Sequence, residues 1–262
     1  MSNDSALKEF ILFGLKQAWA CLFGGLLLFF ILVTHYWYPF QHYLNRYDFL
    51  FLVAILIQVI LLLTKLETWE EARLIIIFHI VATIMEIFKT SPAIGSWHYP
   101  EAAVFKIANV PLFAGFMYSA VGSYTARIWK AFDLKFTYYP KSIWPFIVAI
   151  LIYINFFTHH FFCDLRWLLI AISIIVFART SIIMTIGQNC RKMPLVVGWF
   201  LEAIFIWFAE NIATLSNVWL YPFQNESWQP VSFHKIYAWY LLIIISFILV
   251  STVHKPTLKR ES

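Results

Sequence analysis

Apolar residues form long stretches along the whole chain, and polar residues gather in the segments between them. A helix needs about 20 apolar residues to cross the hydrocarbon core of a bilayer. Eight stretches approach this length, and the strict alternation of a transmembrane β-strand is absent. The pattern therefore predicts eight membrane-spanning helices, at residues 17–36, 48–65, 72–90, 107–127, 143–158, 165–186, 194–215 and 234–253.

Composition agrees with a membrane-embedded chain. Of the 262 residues, 61% are hydrophobic and only 13% are charged, whereas soluble domains carry about 25% charged residues. The net charge of +5 does not indicate a nucleic-acid partner, because the cations flank apolar stretches. We expect an all-α, polytopic helix bundle that forms a single integral membrane domain over residues 1–262, with the lipid bilayer as its partner.

The cations also predict an orientation. Most of the 19 Lys and Arg residues lie at the two chain ends and in the loops after the second, fourth and sixth predicted spans. Cytoplasmic loops are enriched in these residues. We therefore expect a multi-pass protein of the inner cell membrane with both termini in the cytoplasm.

Ionisable residues inside the apolar stretches concentrate near the predicted outer face. Glu86 and Glu210 lie near the outer ends of the third and seventh spans, and most histidines lie in outer segments. His79, Thr83, Glu86 and Thr90 are spaced to share one helical stripe. This stripe is interpreted as the wall of an internal polar pocket, since ionisable groups in membranes are costly and usually face a protein interior. Hydrogen bonding between helices is the alternative.

Several motifs recur at a nearly constant distance. Glu86 and Thr90 precede Trp97, Tyr99 and Pro100, and the same residue types recur 122 to 124 positions later. The Thr-His pair at positions 34–35 recurs at 158–159. We interpret this as two parallel four-helix halves, at about 1–130 and 131–262, although so few matches can arise by chance. Repeats of this kind often place a site at the interface between the halves.

These residues suggest acid–base chemistry. A carboxylic acid in a low-dielectric site can hold a proton near neutral pH and deliver it. We expect Glu86 and Glu210 to be catalytic, with His35 and His159 as partners around one outward-facing cavity. The expected substrate-binding residues are His79, Thr83, Thr90, Trp97, Tyr99, Asn211, Thr214, Trp219 and Tyr221.

The same pattern leaves other functions open. A small-molecule or proton-coupled transporter would also use a repeat of this kind, and an accessory membrane protein would need no turnover. A divalent metal is a candidate cofactor, with His98, His160 and Asp164 as weak candidate ligands. The sequence requires no cofactor, because it contains no HExxH box and no nucleotide-binding loop.

The chain resembles the YoaT-like family of bacterial integral membrane proteins of unknown function. The segments that carry this resemblance are residues 86–101, 109–118 and 159–167, and it extends over most of the chain. A weaker similarity, to membrane carotenoid hydratases, rests on Glu86, Gly95, Tyr99 and the Val-Pro-Leu sequence at 110–112. It implies that a protonated glutamate adds a proton to an isoprenoid double bond, so a lipid or an isoprenoid is the expected substrate.

Overall fold

The computed structural model describes residues 3–141 and 143–258, and these residues are mainly helical. The predicted helical character is therefore confirmed. The helices in the described part of the chain are α1 (Asn3–Ala20), α2 (Leu22–Tyr36), α3 (Arg46–Leu63), α4 (Trp69–Lys89), α5 (Phe113–Ala131), α6 (Ile143–Thr158), α7 (Arg166–Phe177), α8 (Leu195–Leu215) and α9 (Lys235–Val253).

Two small antiparallel sheets correct the all-α prediction. The strands β1 (Lys106–Ile107) and β2 (Val110–Pro111) form a hairpin before α5. A three-stranded sheet has the order β3 (Lys135–Thr137), β4 (Ser181–Ile186) and β5 (Asn189–Pro194).

The predicted span at 165–186 is wrong in its second half, because α7 ends at Phe177 and β4 follows. The β-branched residues of β4, Ile182, Ile183, Thr185 and Ile186, favour a strand. Gly187 then adopts a φ of +62° in the tight turn to β5.

The structure supports membrane association but does not confirm eight spans. In the described residues, α3, α8 and α9 are long and apolar enough to cross a membrane. Residues Ala6–Ala20 and Leu22–Tyr36 add a fourth span only if this pair, bent by 71°, is counted as one. The apolar helices α6 and α7 are shorter. The predicted span at 107–127 begins with the β1–β2 hairpin, so its helix starts at Phe113.

The helices pack in two corresponding sets. The helix α2 packs against α3 and α5, and α6 packs in the same way against α7 and α9. The helices α4 and α8 each contain 21 residues, and their partners α5 and α9 each contain 19. Because α5 also packs against α9, the two sets meet along these helices.

Successive helices from α2 to α9 alternate in direction and define two ends of the bundle. We call the end at which α4 and α8 finish and α5 and α9 begin the histidine end, because His98, His159 and His160 lie there. The opposite end, which contains Lys130 and His254, is called the cation end.

A buried carboxylate organises the cation end. Thr68 and Glu71 form a capping box at the start of α4, which satisfies two backbone N–H groups that the helix leaves unpaired. Glu71 also accepts hydrogen bonds from Lys130 at 2.7 Å and from His254 at 2.8 Å. Burial alone would raise the pKa of Glu71, but these hydrogen bonds lower it to about 2.

Replacing Glu71 with Gln should therefore destabilise the protein by about 2 kcal/mol at pH 7, a typical value for a hydrogen bond to a charged group. Glu71 has a lowered pKa in the folded state, so its contribution is full above pH 4.5 and is lost as the pH falls toward 2. Thermal unfolding at pH 7 and pH 3 tests this. The exposed neighbour Glu70 is the matched control, and an equal effect of Glu70→Gln would contradict the prediction.

Candidate functional site

Glu86 lies one turn before the end of α4, and its side chain is almost fully buried. Its Oε2 accepts hydrogen bonds from the indole N–H of Trp97 at 2.9 Å and from the hydroxyl of Tyr99 at 2.7 Å. Its Oε1 accepts a short hydrogen bond, 2.5 Å, from the hydroxyl of Tyr118 on α5. Three aromatic donors therefore hold one carboxyl group inside the bundle.

Glu210 occupies a similar environment near the end of α8 and is 3% exposed. Its Oε1 accepts a hydrogen bond of 2.5 Å from the hydroxyl of Tyr221, which follows α8. Its Oε2 accepts one of 2.7 Å from the indole N–H of Trp239 on α9. Each glutamate is thus held by an aromatic donor from the loop after its own helix and by another from the next helix.

The aromatic donors of the two carboxyl groups contact one another. The rings of Trp97 and Tyr221 pack edge to face with their centroids 6.1 Å apart, and those of Tyr118 and Trp239 are also 6.1 Å apart. The ammonium of Lys235 lies 4.3 Å from the centre of the Tyr221 ring and 5.5 Å from that of Trp97. We call Glu86, Glu210, these four aromatic residues, Tyr99 and Lys235 the glutamate centre.

The backbone joins the two loops that supply these donors. The N–H of His98 donates to the carbonyl of Leu220 at 3.0 Å, and the N–H of Leu220 donates to the carbonyl of His98 at 2.9 Å. His98 and Leu220 are the middle residues of the two Trp-x-Tyr-Pro motifs. The two motifs therefore run antiparallel, and the residue between Trp and Tyr of one motif pairs with the corresponding residue of the other. Gly95, with a φ of +56°, allows the turn that brings the first motif back over α4.

The start of α3 fixes the long loop between α4 and α5. The carboxylate of Asp48 accepts hydrogen bonds from the backbone N–H groups of Val104 and Phe105 at 2.8 to 3.0 Å. Arg46 forms a salt bridge of 2.5 Å with Glu101. The hydroxyl of Tyr47 donates to the carbonyl of Val218 at 2.9 Å, so this helix start contacts both motif-bearing loops. The aromatic donors of Glu86 are therefore held in place.

A second polar cluster lies one helical turn beyond Glu86. The ammonium of the buried Lys89 lies 2.7 Å from Nε2 of His160 and 3.3 Å from Nε2 of His159. Partial desolvation and the neighbouring ammonium lower the pKa of His160 to about 4. Desolvation also lowers the pKa of His159. These shifts favour the neutral rings, whose Nε2 atoms can accept hydrogen bonds from Lys89.

The structure places the expected histidine partners apart from the carboxyl groups. Within the described residues, His35 and His159 make no hydrogen bond to Glu86 or Glu210. His35 packs on Tyr36 with ring centroids 5.0 Å apart, and His159 contacts Lys89. The expected cavity surrounded by all four residues is therefore not what the structure contains. It contains two buried glutamates whose aromatic donors contact one another, with a histidine cluster beside them.

The other expected binding residues fall into two groups. Trp97, Tyr99 and Tyr221 touch the carboxyl groups directly, and Trp219 packs beside Tyr221. The remaining residues serve mainly the local structure. Thr83, Thr90 and Thr214 donate hydrogen bonds to backbone carbonyls of their own helices. The side-chain oxygen of Asn211 accepts a hydrogen bond from the N–H of Val231. His79 packs against Phe116.

The three expected metal ligands do not converge. His98 lies in the loop pairing, His160 contacts Lys89, and Asp164 forms a salt bridge of 3.3 Å with Arg166. No group of three His, Cys, Asp or Glu side chains that could hold a metal ion occurs in the described part of the chain.

Sequence reasoning missed Tyr118, Trp239, Lys89 and Lys235 as members of the two clusters. The repeat distance offers a signal for the first two, because Tyr118 and Trp239 lie 121 positions apart, close to the spacing of the motifs. The lysines were interpreted only as flanking cations.

An apolar crevice reaches the glutamate centre from the side of the bundle. It is a shallow groove between α4, α6 and α9, and its enclosed volume of about 30 Å³ is that of one water molecule. Its wall includes Tyr118, whose hydroxyl donates to Glu86. Its lining is otherwise almost entirely apolar and includes Phe78, Val81, Ala82, Met85, Tyr153, Phe156, Leu242, Ile245 and Ser246. An apolar molecule in this crevice would approach a carboxyl group through one tyrosine.

Comparison with known proteins confirms the family expected from the sequence. A family model described as "Protein of unknown function (DUF817)" matches residues 9–247. The chain is 38% identical over 248 residues to the uncharacterized protein YoaT of Bacillus subtilis (strain 168). The aligned region covers 95% of this chain and 92% of that protein. No solved structure matches the chain at a significant level.

Proposed function

This chain belongs to the DUF817 family of proteins of unknown function, and we propose that its glutamate centre performs acid–base chemistry on a lipid or isoprenoid. The observation that carries the proposal is the crevice between α4, α6 and α9, since Tyr118 forms part of its wall and donates to Glu86. A substrate dissolved in the bilayer would enter from the side. The hydroxyl of Tyr118 would connect it to the buried carboxyl group.

Two carboxyl groups suit this chemistry because one can act as the acid and the other as the base. Lys235 interacts electrostatically with both Glu86 and Glu210, and its one positive charge can balance only one carboxylate. Burying both groups as anions would therefore leave one charge uncompensated. We assign one proton to the pair, with Glu86 as the acid because its partner Tyr118 lines the crevice. When Glu86 carries the proton, the hydroxyl of Tyr118 turns to accept it.

The proposed reaction starts with a proton relay, in which the hydroxyl of Tyr118 gives its proton to one carbon of a double bond and takes the proton of Glu86. A C–H bond forms, and the neighbouring carbon becomes a carbocation. Glu210 then accepts a proton, either from a carbon next to the cation or from a water molecule that has added to it. Neither route needs an oxidant or a metal. The similarity to carotenoid hydratases supports this choice, because Glu86 and Tyr99, two of the residues that carry it, are hydrogen-bonded.

We also propose that the chain is a 4+4 repeat in the inner membrane, with α2–α5 and α6–α9 as its halves. The equal lengths of α4 and α8, the equal lengths of α5 and α9, and the self-paired motifs support the repeat. The concentration of cations supports a cytoplasmic location for the cation end and both termini. The glutamate centre then lies near the outer face.

A proton-coupled carrier is the second candidate. The position of the glutamate centre at the contact between the two sets of helices favours it, because transporters built from repeats bind their substrates at such interfaces. A carrier would move protons through Glu86 and Glu210 without changing the chemical structure of its substrate.

Lipid analysis of a deletion strain separates the two candidates. If the protein is an enzyme, an unmodified lipid accumulates, its product disappears, and the wild-type gene restores both. If the protein is a carrier, the total lipid composition stays constant while the distribution of a solute across the membrane changes. That second result would contradict the proposed acid–base enzyme.

A further inference from the structure

We propose that the substrate is a lipid with a phosphate head group, which binds at Lys89, Lys235, Arg166 and the two histidines while its chain lies along the open side of the crevice. This inference rests on the proposed function and names its substrate class. It follows from two lysines, Lys89 and Lys235, that have no carboxylate in direct contact, and from the position of the crevice on the same helices.

The cations form a cluster at the histidine end. Lys235 and Arg166 both lie close enough to Lys89 to repel it electrostatically. Within the described residues, neither Lys89 nor Lys235 has a carboxylate within ion-pair distance. The polar contacts of Lys89 are two imidazole nitrogens, and Lys235 lies against aromatic rings. Arg166 forms a salt bridge with Asp164. Asp164 is the acidic residue in the loop between α6 and α7 that faces the cluster.

Such an arrangement favours an anionic ligand. Burial and the nearby charges of Lys235 and Arg166 disfavour the ammonium form of Lys89, which has no partner carboxylate. A phosphate would stabilise this ammonium and accept a hydrogen bond from it. His160 is exposed, so the cluster can be reached from the surface. Glu86 and Glu210 already accept hydrogen bonds from aromatic donors. Within the described residues, neither glutamate forms a hydrogen bond with Lys89.

The crevice and the cation cluster are built from the same three helices. On α4, Lys89 follows the crevice residue Met85 by one turn. On α6, His159 and His160 directly follow the turn that contains Phe156. On α9, Lys235 lies seven residues before Leu242, which is about 10 Å along a helix. A head group at the cluster therefore directs its chain into the crevice and past Tyr118.

The far end of the crevice contains an unexplained polar group. The hydroxyl of Ser246 is buried and has no hydrogen-bond partner among the residues that the structure describes. Such groups carry a cost unless something satisfies them. A polar atom in the chain of a bound lipid would supply the missing partner.

The test measures binding rather than turnover. Native mass spectrometry of the purified full-length protein compares phosphatidic acid with diacylglycerol that carries the same acyl chains. We expect the wild-type protein to bind phosphatidic acid at least about tenfold more tightly, a difference of about 1.4 kcal/mol. The double variant Lys89→Gln/Lys235→Gln should lose this preference. Lys106→Gln, which removes an exposed cation near the same end, should keep it.

Further variants test the crevice and distinguish a lipid from a free anion. Ala82→Phe and Ser246→Leu fill the crevice at two levels, and each should weaken binding of phosphatidic acid. Inorganic phosphate should not displace the lipid. Displacement by inorganic phosphate, equal loss in Lys106→Gln, or unchanged binding in both crevice variants would overturn the inference.

Glu86→Gln keeps the head-group cluster intact and should still bind phosphatidic acid. If it binds the lipid but the deletion strain shows no altered lipid, the proposed chemistry fails and the binding site stands. If the deletion strain accumulates a lipid without a phosphate, the chemistry stands and the inference fails.

Discussion

Replacing Glu86 with Gln should reduce turnover by at least about 100-fold, because a positioned general acid typically contributes 10²- to 10⁴-fold to a rate. Gln keeps the shape of the side chain and one acceptor oxygen, but it has no proton to transfer. The donors Trp97, Tyr99 and Tyr118 retain their positions, so the fold should persist. The measurement is restoration of the normal lipid composition in a deletion strain that produces the variant.

The second carboxyl group and an exposed acid provide the controls. Glu210→Gln should cause a loss of similar size, since the proposed reaction needs both an acid and a base. Glu226 lies in the exposed loop after Tyr221, and Glu226→Gln should restore the lipid composition fully. Full restoration by Glu86→Gln, in protein that is produced at the normal level, would contradict the proposed role of this residue.

Replacing Gly122 with Val should destabilise the protein by about 3 kcal/mol, the upper range for overpacking of a core. Gly122 lies where α5 packs against α4, and an added Cβ would come within 2.7 Å of the Phe78 ring. Phe78 is itself buried in the largest core cluster, so the ring cannot easily move away. The helices must separate, which also moves Tyr118 away from Glu86.

Gly25 supplies the matched control for this helix–helix contact. It lies in α2, and an added Cβ there meets no atom within 4 Å. Because Val has a slightly better helix propensity than Gly, Gly25→Val should leave stability unchanged or raise it slightly. Thermal unfolding in detergent measures both variants. Equal melting temperatures for the two would show that α4 and α5 do not pack as closely as the structure indicates.

The sequence was most informative at positions where a polar residue lies in an apolar stretch, because burying such a residue costs free energy. Glu86 and Glu210 stand out because carboxyl groups in apolar stretches are rare and have a reason to be there. The Trp-x-Tyr-Pro motifs drew attention to the two loops that the structure pairs. The family was predictable because the matching segments are long.

Other features had no distinct signal in the sequence. Residues 181–186 are as apolar as a helix, and a short apolar run does not reveal whether it is helix or strand. Tyr118 and Trp239 belong to a chain with 12 Trp and 13 Tyr, so their roles could not be recognised from residue type. Lys89 and Lys235 resembled ordinary flanking cations, because the spacing does not show which lysines lack a partner carboxylate.

The membrane spans illustrate the same limit. Hydropathy predicts eight stretches, but Glu71, Glu86 and Lys89 on α4 show that a helix in this bundle can carry several ionisable groups. These charges are accommodated by neighbours from distant parts of the chain, which a local window of sequence cannot include. The number of spans is therefore a property of the packed bundle rather than of each stretch.

The most direct test of the glutamate centre is a disulfide between its two loops. In a variant without Cys21, Cys163 and Cys190, His98→Cys and Leu220→Cys would place two thiols on a hydrogen-bonded antiparallel pair. The Cα atoms of such a pair lie about 5.5 Å apart, which a disulfide can bridge. We predict rapid formation of an intramolecular disulfide under mild oxidation, detected by mass spectrometry of the linked peptides.

A control pair, His98→Cys with Asn225→Cys, should react much more slowly. Absence of the link between positions 98 and 220, or formation only between separate chains, would contradict a single centre shared by Glu86 and Glu210.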